Sequence, residues 1–174
     1  MKNNRPLFFA LVVIVALAGW NPARAQDGVE DLGTFKSWQA RSYKEGGNPV
    51  CTMFSQPTAS EGNYDKRGEV FIFVTHRPSA NRADEVSVNI GYPFKTGVPV
   101  FMVVGGTKYE MFSEGSNAWT RSSRDDATLV RAMRAGSELS VEGVSAKGTK
   151  TVDTFSLSGF SAAHNAITVA CKVR

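Results

Sequence analysis

The chain has two cysteines, Cys51 in its first third and Cys171 close to its end, and their pairing decides what the residues between them can fold into. In an oxidising compartment such a pair reads as one disulfide; in a reducing one it reads as two buried thiols. A metal site is the third alternative, but two cysteines so far apart have no neighbouring pair of histidines to complete four ligands. If joined, they close a loop of about 120 residues, for which the chain-entropy relation gives ~4–5 kcal/mol and typical measured values are ~2–4.

The first residues decide the compartment. Lys2 and Arg5 make a basic start, Leu7 to Ala18 is an unbroken apolar run, and Ala23-Arg24-Ala25 puts small residues at the two positions a signal peptidase reads. Residues 1–25 are therefore expected to be a signal peptide, cleaved between Ala25 and Gln26, with residues 26–174 forming one mature domain. A membrane anchor is the weaker reading, because a span needs about 20 apolar residues and this run is shorter. Nothing after the signal is long and apolar enough to cross a membrane. The expected location is the periplasm or the secreted fraction, which favours the disulfide Cys51–Cys171.

Export also changes the charge. The full chain carries a formal +4, but Lys2, Arg5 and Arg24 leave with the signal and no acidic residue does, so the mature chain is near +1. A nucleic-acid partner is not supported by that balance. The cluster Arg121, Arg124, Arg131 and Arg134 reads as the solvated side of a helix and its approach.

Along the mature chain the dominant pattern is short strands. Residues 26–33 are polar and expected to be loose. Phe35 to Tyr43 and Val50 to Phe54 read as strands around a turn at Gly46-Gly47, and Gln56 to Arg67 reads as a surface loop. Glu69 to His76 is apolar on both parities, as expected of a central strand covered on both faces, and Val98 to Val104 has the same pattern. Val86, Val88, Ile90 and Tyr92 alternate cleanly with polar residues, so one face there is wet. Gly105-Gly106 suits a tight hairpin with positive φ at both positions. Asp125 and Asp126 are placed to cap a helix carrying Leu129, Val130 and Met133 on one side. A hairpin turns at Lys147-Gly148. A last helix, with Ser161 as N-cap, carries Ala163, Ile167, Ala170 and Cys171 on one stripe and turns Cys171 toward the sheet. The sum is about eight or nine strands and two short helices, arranged as a mostly antiparallel two-layer sandwich or a partly open barrel.

Several segments together resemble the invasion-associated locus B family of exported alphaproteobacterial proteins. They are Val50-Cys51 with Ser55-Gln56-Pro57, then Val74-Thr75-His76-Arg77-Pro78, Gly91-Tyr92-Pro93 and Ala118-Trp119. The closing run is Gly148-Thr149-Lys150-Thr151, then Asp153 through Phe160, with Ala163 and Cys171. The resemblance covers nearly all of the mature region. It implies an immunoglobulin-like antiparallel β-sandwich in the envelope or outside the cell, and an association with host-cell invasion and virulence in pathogenic members. It brings no catalytic mechanism and no defined ligand.

A search for chemistry returns little. Lys95-Thr96-Gly97 matches one element of penicillin-recognising enzymes, but their Ser-x-x-Lys nucleophile motif is absent. Gly-x-Ser-x-Gly, phosphate-binding and zinc-protease motifs are absent too. His76 and His164 are expected to serve hydrogen bonding and packing, and Asp153 to anchor a sheet corner. Trp38 belongs to the core. No catalytic residue, cofactor or metal is expected. The leading expectation is a non-catalytic exported protein that binds a protein or glycan partner, with Tyr92, Phe94 and Trp119 as candidate partner surface. The alternative is a periplasmic module holding a small ligand between the sheets.

Overall fold

The computed structural model describes residues 28–64 and 66–173; the expected signal peptide and its expected cleavage point between Ala25 and Gln26 fall outside them. The strands are β1 (Glu30–Phe35), β2 (Trp38–Glu45), β3 (Asn48–Ser55), β4 (Ala59–Gly62), β5 (Phe71–Arg77), β6 (Arg82–Asn89), β7 (Val100–Val104), β8 (Thr107–Glu114), β9 (Asn117–Trp119), β10 (Glu138–Val144) and β11 (Lys150–Ser156). The helices are α1 (Ser123–Ala135), between β9 and β10, and α2 (Phe160–Ala170), after β11. No helix among the described residues is long and apolar enough to cross a membrane.

All strands join one sheet in the order β1-β2-β3-β5-β6-β9-β8-β7-β10-β11-β4, and every pairing is antiparallel. The sheet folds back on itself. The Trp38 indole in β2 donates to the Ser156 carbonyl in β11 at 3.0 Å, although eight places separate the two strands in the order. The result is sandwich-like, as expected. Its interior holds Trp38, Met53, Ile72, Val88, Met102, Leu139 and Phe155, all 1% exposed or less. Period-two burial produces this core: Val86, Val88 and Ile90 turn inward from β6 and its end, and Leu139 and Val141 from β10.

Cys51 of β3 and Cys171, just beyond α2, form a disulfide with 5.9 Å between their Cα atoms. Cys51 lies opposite His76 in the β3–β5 ladder, so the bond pins the C-terminal helix to the middle of one layer. α2 presents Phe160, Ala163, His164 and Ile167 inward, and Phe160 meets Trp38 edge to face at 5.0 Å.

Several expectations need correction. Residues 30–33 are not loose: Glu30 and Asp31 pair with Ser42 and Arg41. Phe35 to Tyr43 is not one strand but the two arms of a hairpin turning at Lys36-Ser37, where Lys36 takes a φ of 54°. β4 lies inside the segment read as a loop, because Ala59–Gly62 supplies the outer edge of β11. Ser161 does not cap α2. Gly159 does, at φ 92°, where a Cβ would stand 1.9 Å from the Phe35 carbonyl oxygen. Ala170 is exposed, and His164 takes its place on the buried stripe. Asp125 and Asp126 are not the cap of α1; Ser122 is, its Oγ accepting from the Asp125 amide at 3.2 Å. Asp126 turns inward. It accepts from the Val86 amide at 2.9 Å and from Thr120 at 2.6 Å, serving a β6 amide beyond the end of short β9. Burial raises its carboxyl above the ordinary value.

Candidate functional site

One end of the sandwich gathers three connecting segments into a cleft. After β6 the chain turns at Gly91, whose φ is 71° and whose missing Cβ would lie 2.3 Å from the Gly68 carbonyl oxygen. Only glycine allows that approach. It lets the Gly68 amide donate to the Gly91 carbonyl at 2.9 Å, which draws residues 66–68 against Tyr92 and Pro93. The β10–β11 turn forms the third side: the Ala146 amide donates to the Pro93 carbonyl at 2.8 Å.

Arg67 holds these segments together. Its Nε donates to the Ile90 carbonyl at 2.6 Å, and its two terminal nitrogens reach the two oxygens of Asp153 at 2.7 and 2.5 Å. Ser60 adds a third bond to that carboxylate at 2.7 Å. The Asp153 side chain is fully buried and that of Arg67 is 5% exposed, so the pair links β11 to the end of β6 through the interior. Burial opposes the charge on Arg67, but its bonds to Asp153 prevail and its pKa is raised. The guanidinium carbon lies 5.3 Å from the Tyr64 ring and 4.9 Å from that of Tyr92, fixing both aromatic walls. The Tyr92 hydroxyl bonds that of Thr151; burial raises the phenol's pKa, moderated by Thr151 and Arg67. The cleft encloses about 670 Å³, within the range of small-ligand sites. Lys66 and Lys147 line it with Asn63, Ser145 and Thr149, and no carboxylate does among the described residues.

Of the three residues expected at a partner surface, the structure places only Tyr92 here. Phe94 is buried in the core at 7% exposure, because its ring fills the space left by Gly143 in β10. Trp119 stacks on Phe112 at 5.5 Å and lines a different cleft, with Arg82, Arg121 and Ser122. The loops are neighbours, joined by the Phe94 amide donating to the Gly115 carbonyl at 2.8 Å, but their side chains diverge. Asp153 is structural, as expected, through Arg67 rather than the lysine turn. Sequence reasoning missed Tyr64, Lys66 and Arg67; their signal was an aromatic–basic cluster inside a segment read as plain loop.

A second cluster lies under α2. At His76 the β5–β6 ladder slips register, so Ala83 and Asp84 stand against a single residue, and Asp84 adopts a φ of 61°. Its freed amide donates to His76 Nδ1 at 3.0 Å, leaving Nε2 to carry the proton toward Thr168 Oγ1, 3.2 Å away. His164 Nε2 lies 2.6 Å from the Asp84 carboxylate, and Arg134 donates to His164 Nδ1 at 2.5 Å. Arg134 is exposed, as expected, while its guanidinium reaches His164 and Asn165. Burial chiefly, with His164 nearby, lowers the pKa of His76 to about 4 despite Asp84. Burial pushes Asp84 upward, but the bond from His164 and the charge of Arg134 hold it below its usual value. The ligand atoms of His76, Asp84 and His164 lie within 4.8 Å of one another. A cation there would have to displace Arg134 from His164 and the Asp84 amide from His76. Nor is an imidazole nitrogen left open to accept a substrate proton, and the Thr168 hydroxyl already donates to the His164 carbonyl at 2.8 Å.

Among the described residues no second layer covers the outer face of β2, β3 and β5, contrary to the two-face reading of β5. Phe54, Phe71 and Phe73 pack on one another there at ring separations of 5.9 to 6.1 Å, with Arg41 over Phe54 at 4.9 Å. All three are half-buried by their mutual contact.

Comparison with known proteins agrees with this architecture. The crystal structure of invasion associated protein b from Bartonella henselae superimposes with a TM-score of 0.57 at 24% identity, over 80% of this chain and 96% of that one. No curated protein sequence matches. The model of the Invasion associated locus B (IalB) protein family matches residues 38–168, from the first core tryptophan to the last turn of α2, and the chain therefore belongs to the IalB family.

Proposed function

We propose that the protein is exported and non-catalytic, and that it acts by binding a partner at the cleft between Tyr64, Tyr92 and the β10–β11 turn. The single observation that carries this reading is the buried Arg67–Asp153 pair beneath the cleft. A fully buried ion pair is a costly way to hold a fold, and here it fixes two tyrosine walls and three loops. Loops held by a rigid scaffold are where binding residues concentrate. Export is supported by the N-terminal pattern of the sequence and by the disulfide. The absence of catalysis is supported by the two histidines, whose ring nitrogens are engaged within the protein. Family membership supports an envelope or extracellular setting and, where the source is pathogenic, a part in invasion.

The test is saturable binding of purified, disulfide-intact protein to isolated envelope fractions and to intact host cells. The cleft reading expects Tyr64→Ala combined with Lys147→Gln to abolish binding while the unfolding midpoint stays in place. If binding survives those changes and is instead lost in Phe73→Ser, the outer aromatic face is the contact surface and the cleft reading fails.

A further inference from the structure

We infer that the cleft takes an acidic saccharide, a sugar whose ring substituents carry carboxylate or sulfate. This rests on the reading of the cleft as the binding surface and names the chemistry of what enters it.

Charge points first to an anion. Lys66, before β5, and Lys147, in the β10–β11 turn, approach the space from separate segments, and both are exposed. Neither belongs to an ion pair among the described residues. All the described arginines but Arg124, and Lys108, are bonded to protein acceptors; of the cations without such a bond, Lys66 and Lys147 are the two that line the cleft. Two lysines lining a common space, with no carboxylate among the described residues of its lining, favour an anionic occupant.

The rest of the lining points to a sugar. Tyr64 and Tyr92 supply aromatic surfaces that suit the apolar face of a pyranose while keeping a polar tip. Asn63, Ser145 and Thr149 offer neutral donors and acceptors of the kind that hydroxyl groups need. An acidic peptide would be expected to use an open strand edge or a fork of free arginines. The lining comes from loops and turns apart from Thr151, and β11, which carries Thr151, is paired on both edges. The one arginine beneath the cleft is committed to Asp153.

The experiment is calorimetric titration of the purified, disulfide-intact protein with five probes: heparin oligosaccharide, oligogalacturonate, neutral malto-oligosaccharide, polyglutamate and inorganic sulfate. The expected result is saturable binding of heparin oligosaccharide, oligogalacturonate or both, weakening with salt, and clearly tighter than the neutral sugar, the peptide or the free ion. The first two probes separate sulfate from carboxylate recognition. Lys66→Gln with Lys147→Gln should weaken binding by about tenfold or more, the factor one lost charge-assisted bond carries. Tyr64→Ala should weaken it as well, whereas Arg121→Gln with Arg124→Gln, remote from the cleft, should not. Failure of both acidic saccharides to bind overturns the inference. So does equal binding of the neutral sugar or polyglutamate, or indifference to the lysine substitutions. If those substitutions abolish binding to cells or envelopes while no acidic saccharide binds, the saccharide inference alone falls. If cell binding ignores the cleft substitutions, the reading beneath it falls instead.

Discussion

Replacing Asp153 with asparagine isolates the interaction on which the cleft depends. The carboxylate accepts two bonds from Arg67 and one from Ser60, and the side chains of the ion pair are 0% and 5% exposed. Asparagine keeps the shape but removes the charge and turns an NH₂ group toward one acceptor site. Arg67 cannot escape cheaply, since its Nε stays bonded to the Ile90 carbonyl and its plane lies against two tyrosine rings. Breaking one side of such a buried pair costs about 3–5 kcal/mol, against a total of about 5–15 kcal/mol for a domain. With a urea slope near 2 kcal/mol per molar, the unfolding midpoint should fall by roughly 2 M. Equilibrium urea unfolding followed by tryptophan fluorescence reads this directly. A loss under about 1 kcal/mol, the range of an exposed pair, would refute the reasoning. A second arm separates charge from packing: Arg67→Met together with Asp153→Leu should recover much of the loss, because the cost lies in an uncompensated charge. A double variant as unstable as Asp153→Asn would contradict that explanation.

Other outcomes follow from the same contacts. Cys51→Ser with Cys171→Ser should lower stability by about 2–4 kcal/mol, read by urea unfolding with and without reductant; identical curves for the native protein in both conditions would deny the tie. The folded-state pKa of His76, about 4 against an ordinary 6.5, means the unfolded chain binds the extra proton first. Stability should therefore fall as pH drops from about 6.5 to 4, by up to roughly 3 kcal/mol at the full shift. The lowered pKa of Asp84 acts in the same direction at lower pH, and the raised pKa of Asp126 opposes it. Unfolding midpoints across that range, compared with those of His76→Gln, should show the slope reduced in the variant. Finally, Gly159→Ala meets the Phe35 carbonyl, whereas Gly105, also at positive φ, has open space around its Cβ position. Gly159→Ala should cost more than about 2 kcal/mol and Gly105→Ala about 1 kcal/mol; equal melting temperatures would contradict the close approach.

Much of the fold was legible because period-two burial leaves a local trace. The alternation of Val86, Val88 and Ile90, the Gly105-Gly106 hairpin and the inward face of Cys171 could all be read from neighbouring residues. The errors occur where a distant contact decides. Lys36 turns a hairpin that nothing local signals, because its φ of 54° is imposed by the pairing of β1 with β2. Gly159 caps α2 because of Phe35, more than a hundred residues away in sequence. Phe71 and Phe73 read as covered because apolar residues on both parities look the same whether the second face meets a layer or only its own neighbours. The cleft was visible only through Tyr92: Arg67 finds Asp153 across 86 positions, and no spacing rule connects them. Phe94 illustrates the converse, since a loop aromatic looks exposed until Gly143 opens a place for it.

Cross-linking from the cleft wall tests the central claim most directly. A photoreactive diazirine side chain in place of Lys147 should link the protein to a discrete partner, while the same group in place of Arg121 should not. Capture from Arg121 with none from Lys147 would place recognition elsewhere on the molecule and contradict the assignment of the cleft.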